Sequence, residues 1–148
     1  MLYAKDHFAC AGAIFKMGSP LWLDSAGHLA HLGIELALKA LLLEERAEFP
    51  GTHDLRQLHK HARRLGLSLS EASVKALREI NKLGSIRYPN PHAPVKIATE
   101  DWPAFDSLFH EIVAHRPDLA DDKHRRTPEG YIGKGDRVLM YKPIEPEE

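Results

Sequence analysis

The sequence predicts an all-α protein, an up-and-down bundle of four or five helices followed by an irregular C-terminal tail. Two observations carry that prediction. Apolar residues recur at three- and four-residue spacing through most of the chain, and no run of alternating apolar and polar residues precedes the tail. Short breaks marked by glycine or proline separate the apolar stripes, which favours antiparallel neighbours.

The first helix is expected from about Tyr3 to Met17, with Phe8, Ala11 and Phe15 on one face and Gly18-Ser19-Pro20 as its stop. The second begins near Asp24, a good N-cap residue, and continues to about Ala47, before Pro50-Gly51. Leu29, Leu32, Ile34, Leu36, Leu38, Leu41 and Leu43 point in many directions around it, so it is the central helix, buried on several sides. Thr52 can cap a third helix with Leu55, Leu58, Ala62 and Leu65 on one stripe, and Gly66 supplies a left-handed stop. Ser68 and Glu71 read as a capping box for the fourth helix, which carries Val74, Leu77 and Ile80 inward. A fifth helix starts at Thr99 or Asp101, presents Trp102, Phe105, Phe109, Ile112 and Val113, and ends at Pro117. The bundle thus occupies residues 1–117. Residues 118–148 form a charged tail containing proline and glycine, with a short hairpin at Gly133-Lys134-Gly135-Asp136 as one reading and a loosely attached tail as the other.

A chain of 148 residues is long enough to bury about 70% of its unfolded surface as one domain, with no need for a disulfide or metal. The 43% hydrophobic and 28% charged fractions are those of an ordinary soluble globular protein. A net charge of -1 provides no overall field to attract nucleic acid, so an anion site must be local. Cys10, the only cysteine, sits among apolar residues and reads as a buried thiol in a reducing cytoplasm. The start, MLYAKDHFAC, lacks the uninterrupted apolar run of a signal peptide, and the apolar segment Ile34 to Leu43 is interrupted by Glu35 and Lys39 and too short to span a bilayer. A cytoplasmic protein without a membrane segment is expected.

Against its apolar background, the central helix gathers Asp24, His28, His31, Glu35, Lys39 and Arg46 on one narrow strip. One reading is the exposed edge of a core helix, with a Glu35–Lys39 pair worth about 0.2–0.5 kcal/mol. The other is the lining of a cleft, in which Glu35 orients a base and Lys39 meets a phosphate. Ten histidines invite a metal, but neither HExxH nor paired cysteines occur, so no metal or other cofactor is expected and the histidines read as surface or capping residues. Near the end of the fourth helix, Ile86-Arg87-Tyr88-Pro89-Asn90-Pro91-His92 sets an arginine near a histidine, a pairing able to neutralise a phosphate and move a proton.

Three blocks, IELALKALLLEE, PGTHDLRQL and LREINKLGSIRYP, occur in the order and spacing of the HEPN family, and the chain from about Tyr3 to Val113 resembles that family. The matching positions are Glu35 and Lys39, then His53-Asp54-Leu55, then Arg87-Tyr88-Pro89. The resemblance implies a helical homodimer, with a nucleotide or RNA as ligand, often encoded beside a minimal nucleotidyltransferase or in a defence or toxin–antitoxin setting. It also implies, for the nuclease members, metal-independent RNA cleavage by an arginine and a histidine separated by four to six residues, here Arg87 and His92. Two features depart from that nuclease pattern: Tyr88 replaces a small polar residue, and Pro89 and Pro91 prevent one regular helix from presenting Arg87 and His92 together. The reading drawn is nucleotide or RNA binding near Glu35, Lys39, His53, Asp54, Arg87 and Asn90. The alternatives are an Arg87/His92 endoribonuclease and a non-catalytic dimerisation or partner module.

Overall fold

The computed structural model describes residues 1–46, 49–87 and 95–121, excluding the side chains of Ile86 and Arg87. These residues form α1 (Leu2–Met17), α2 (Leu23–Arg46), α3 (Leu55–Arg63), α4 (Glu71–Lys82) and α5 (Trp102–His115), with 3-10 turns at Pro20–Trp22, Leu83–Arg87, Thr99–Asp101 and Pro117–Ala120. No strand occurs among the described residues. The all-α expectation holds.

The antiparallel course of the bundle is visible in individual contacts. Gly33 on α2 lies so close to α1 that a β-carbon there would stand 3.0 Å from Phe8 Cβ and 3.2 Å from the Ala4 carbonyl oxygen. Early α1 therefore opposes mid-α2, as in a helical hairpin. The turn between them is closed by Gly18, whose φ of 66° is left-handed and whose N–H donates to the Phe15 carbonyl. Similarly, the Leu55 N–H at the start of α3 donates to Asn81 Oδ1 near the end of α4 at 2.7 Å. Ser70 and Ser73 at the start of α4 donate to Glu111 late in α5, each hydroxyl at 2.7 Å. Each pair joins the beginning of one helix to the end of the next.

Three expected caps fall elsewhere. Pro20–Trp22 forms a 3-10 turn leading directly into α2, leaving Asp24 inside the first helical turn rather than at its cap. Asp54, not Thr52, caps α3, accepting from the Arg56 N–H at 2.9 Å; Thr52 Oγ1 accepts from the Asp54 N–H one step earlier. Ser70, not Ser68, caps α4 through the Ser73 N–H, and Glu111 takes the place of Glu71 by accepting the Ser70 N–H at 2.8 Å. A carboxylate from another helix performs the task assigned to a local one.

The core runs along α2, where Ile34, Leu38 and Leu42 are fully buried against Leu55, Leu58, Leu77, Ile80, Leu108 and Ile112. Each such side chain stabilises the fold by about 1.5–3 kcal/mol. A second layer joins α1 to α5: Phe8 stacks on Phe109 with centroids 4.1 Å apart and on Trp102 at 4.7 Å, while Phe15 meets Phe105 edge-on. The 3-10 turn Pro117–Ala120 is tied back to α1 by the Lys5 ammonium, which donates to the Ala120 carbonyl at 2.9 Å.

Two side-chain expectations change. Cys10 is exposed, because it lies on the side of α1 opposite Ala4, Phe8, Ala11 and Phe15; apolar neighbours in sequence are not its neighbours on the helix. The apolar stretch is also longer than Ile34 to Leu43. Pro20–Arg46 is long and apolar enough to cross a membrane by length and composition, but 61% of its apolar window is buried inside the bundle, as in a core helix. The supposed hairpin and most of the tail, residues 122–148, lie outside the described residues.

Candidate functional site

The polar strip of α2 is not an exposed edge at its centre: His31 and Glu35 are each only 4% exposed. A buried carboxylate requires partners. Glu35 Oε1 accepts from the Lys39 ammonium at 2.7 Å and from His53 Nδ1 at 2.9 Å, while His31 Nδ1 stands 3.9 Å from Oε2. An ionised carboxylate can only accept, so the Nδ1 of His53 carries the proton and Nε2 remains on the outer part of a ring whose side chain is 76% exposed. Burial pushes the Glu35 carboxyl up, but the hydrogen bonds and charges of Lys39 and His53 outweigh it and hold it below the ordinary glutamate range.

The surrounding residues explain why His53 is held in place. Pro50 and Gly51 bring the chain around after α2, and Asp54 then opens α3, fixing His53 immediately before the first helical turn. Asp54 also pairs with Arg56 through both carboxylate oxygens, at 3.1 and 2.9 Å, and the guanidinium holds its carboxyl below the usual range. With Asn81 and Asp54 accepting from the Leu55 and Arg56 amides, the N-terminus of α3 is already capped.

Phe49, 44% exposed, extends the corner, with the Lys39 ammonium 5.2 Å from its ring centroid. Beside it opens a cavity of about 250 Å³ lined by Leu42, Arg46, Phe49, Pro50 and His61. The corner therefore joins an exposed imidazole, an aromatic face and a further arginine over a buried ion pair. A larger cavity of about 1140 Å³, bounded in part by Asp24, Glu79, Lys82, Lys96 and Asp101, carries mixed charge and offers no net attraction to an anion.

Among the expected site residues, the structure brings together Glu35, Lys39 and His53, with Asp54 adjacent. The backbone of Arg87 ends the 3-10 turn Leu83–Arg87, whereas its side chain, Asn90 and His92 lie outside the described residues, and so does the Arg87/His92 pairing. The opposite end of the strip reaches the same turn. A β-carbon on Gly84 would stand 2.7 Å from His31 Nε2, so the His31 ring packs directly on the segment leading to Arg87.

The family model for the HEPN domain matches residues 3–108, well over half of the chain. The chain belongs to the HEPN domain family. In this HEPN domain, the matched region spans α1 to the middle of α5 and includes the whole Glu35–Lys39–His53 cluster. No curated protein and no solved structure matches the chain. Family membership supports a helical module concerned with nucleotides or RNA.

Sequence reasoning placed His31 on the strip beside Glu35 but missed its burial, and it missed Phe49 and Asn81 as parts of this arrangement. His31 was visible on the strip, but its burial depends on how closely Gly84 approaches. Phe49 and Asn81 carried no periodic signal, because each acts through a tertiary contact with another element. Nor is the histidine set confined to surfaces and caps: His31 and His59 are buried. No group of three or more His, Cys, Asp or Glu side chains suited to a metal occurs among the described residues.

Proposed function

We propose that this HEPN domain binds a nucleotide or an RNA phosphate at the corner formed by Glu35, Lys39, His53 and Asp54, with Arg87 and Asn90 as further contacts. The observation that carries the reading is the exposed His53 imidazole held by the buried Glu35 carboxylate at 2.9 Å. An imidazole fixed through Nδ1 has its Nε2 available to meet a phosphate when protonated, or to accept from a ribose hydroxyl when neutral. Phe49 offers a face for a base, and Arg46 a charge-assisted contact. In this reading Glu35 and Lys39 position the ligand contacts rather than supply them, since each is already engaged with the other. Binding, in a prokaryotic defence or toxin–antitoxin setting, is the activity proposed, with metal-independent RNA cleavage by Arg87 and His92 as the alternative. Titration with nucleotides and single-stranded RNA at low salt, using the parent and His53→Ala, tests it.

A second reading, a homodimer or partner module for a nucleotidyltransferase, draws on the exposed apolar residues Met17, Leu21 and Trp22 between α1 and α2; Leu21 is 84% exposed. Light scattering of the parent and a Leu21→Glu/Trp22→Glu variant tests it: self-association through this patch requires a parent dimer and a variant monomer.

A further inference from the structure

A second basic site lies on the other side of α3. Between α3 and α4 runs a groove of about 470 Å³, lined by Arg56, Arg63 and Arg78 above an aliphatic floor that includes Leu67, Val74 and Leu77. This volume falls within the range of about 300–1,000 Å³ typical of ligand pockets. No carboxylate is among its lining residues. Arg56 is already paired with Asp54, but neither Arg63 nor Arg78 forms an ion pair with another described residue. Arg63 and Arg78, both exposed, thus border one concavity that no lining carboxylate neutralises, which leaves it locally positive and suited to an anion.

His59 adds an independent sign. It is 8% exposed, lines the same groove, and its Nε2 is buried without a hydrogen-bond partner among the described residues. Buried polar atoms in folded proteins are normally paired, so an orphan nitrogen beside two unpaired arginines marks a place prepared for a hydrogen-bonding anion. Burial, and secondarily the Arg63 charge, push the imidazole below its ordinary range and leave it neutral near pH 7. A neutral imidazole protonated at Nε2 is a donor.

We infer that the α3–α4 groove is a phosphate-binding site, taking one phosphate group of a nucleotide unit between Arg63 and Arg78, with His59 Nε2 as a donor and the sugar or base against the aliphatic floor. Guanidinium groups suit this ligand because their forked N–H groups match phosphate oxygens in pairs. The phosphate can belong to a free nucleotide or to an RNA strand. The inference does not depend on the Glu35–His53 corner, which shares none of these lining residues.

The test is a nitrogen-15 NMR titration of the full chain at low salt, reading the Nε–H signals of Arg63 and Arg78 in the parent and, in parent and variants alike, the backbone amide signals of Leu67, Val74 and Leu77 on the groove floor, with inorganic phosphate, adenosine monophosphate and a single-stranded oligouridylate as separate probes. Saturable shifts at both arginines are expected with at least one probe, with affinity lowered about tenfold or more in Arg63→Gln/Arg78→Gln. Tighter binding of the oligouridylate than of the monophosphate identifies a strand site, and the reverse order a nucleotide site. The inference is overturned if all three probes leave both signals unmoved, if the double variant binds as the parent does, or if Lys75→Gln, outside the groove, lowers affinity equally. His53→Ala should leave the groove affinity within about twofold, so loss of binding confined to that variant bears only on the corner.

Discussion

Glu35 on α2 and His53 before α3 are joined by a 2.9 Å hydrogen bond across 18 residues, with the carboxylate buried and the imidazole exposed. The bond gives the two residues unequal roles. Glu35 is a buried charge satisfied from two sides; His53 is a surface group held in one orientation.

Glu35→Ala should therefore destabilise the fold by about 3–5 kcal/mol, because it leaves the largely buried Lys39 ammonium without its carboxylate. His53→Ala should cost about 1 kcal/mol or less, the range of exposed pairs. Urea unfolding at neutral pH measures both, and equal losses would contradict the division of roles.

The pH dependence follows from the same bond. The folded pKa of Glu35 is depressed, so its contribution is fully present above the ordinary glutamate value of about 4.3 and is lost as pH falls through the lower folded value. His59 is also depressed, and its contribution declines as pH falls below the ordinary histidine value of about 6.5. Unfolding free energies from pH 7 to pH 3 should show the gap between parent and Glu35→Gln closing only in the acidic window. The decline between pH 6.5 and 5 should be shallower in His59→Leu than in the parent.

Gly84→Ala tests the link between the buried strip and the turn leading to Arg87. Its new β-carbon would meet the His31 ring at 2.7 Å, where the buried imidazole has little room to yield. A loss of about 1–3 kcal/mol by thermal or urea unfolding is expected. An unchanged stability would show that this approach is not tight.

Cleavage supplies a separate test. Single-stranded RNA incubated with the protein in chelator should be recovered intact, because α4 ends at Lys82, before Arg87, and the prolines in the sequence Arg-Tyr-Pro-Asn-Pro-His disfavour one regular helix carrying both Arg87 and His92. Cleavage that persists in chelator and disappears in Arg87→Ala and His92→Ala would move the activity to that pair.

The fold was legible because the apolar stripes of the five helices and the Gly18 and Gly66 stops are local signals, and both glycines adopt left-handed φ. The caps were less legible: Ser70 and Glu111 meet across 41 residues, and Leu55 and Asn81 across 26. The strip containing Glu35 and Lys39 was readable from helical spacing, but its burial was not. Whether such a strip faces water depends on His53 and Gly84 arriving from elsewhere in the chain. The α3–α4 groove was hidden for a related reason. Arg56 and Arg63 lie on one helix and Arg78 on the next, and a net charge of -1 conceals their convergence.

The proposed corner is tested most directly by titrating labelled single-stranded RNA and nucleotides into the parent and His53→Ala at low salt, with the melting temperature of each recorded alongside. The expected result is saturable binding to the parent, weakened about tenfold or more in His53→Ala while the variant melts within a few degrees of the parent. Binding that is absent from the parent, or equally tight in the folded variant, would contradict it.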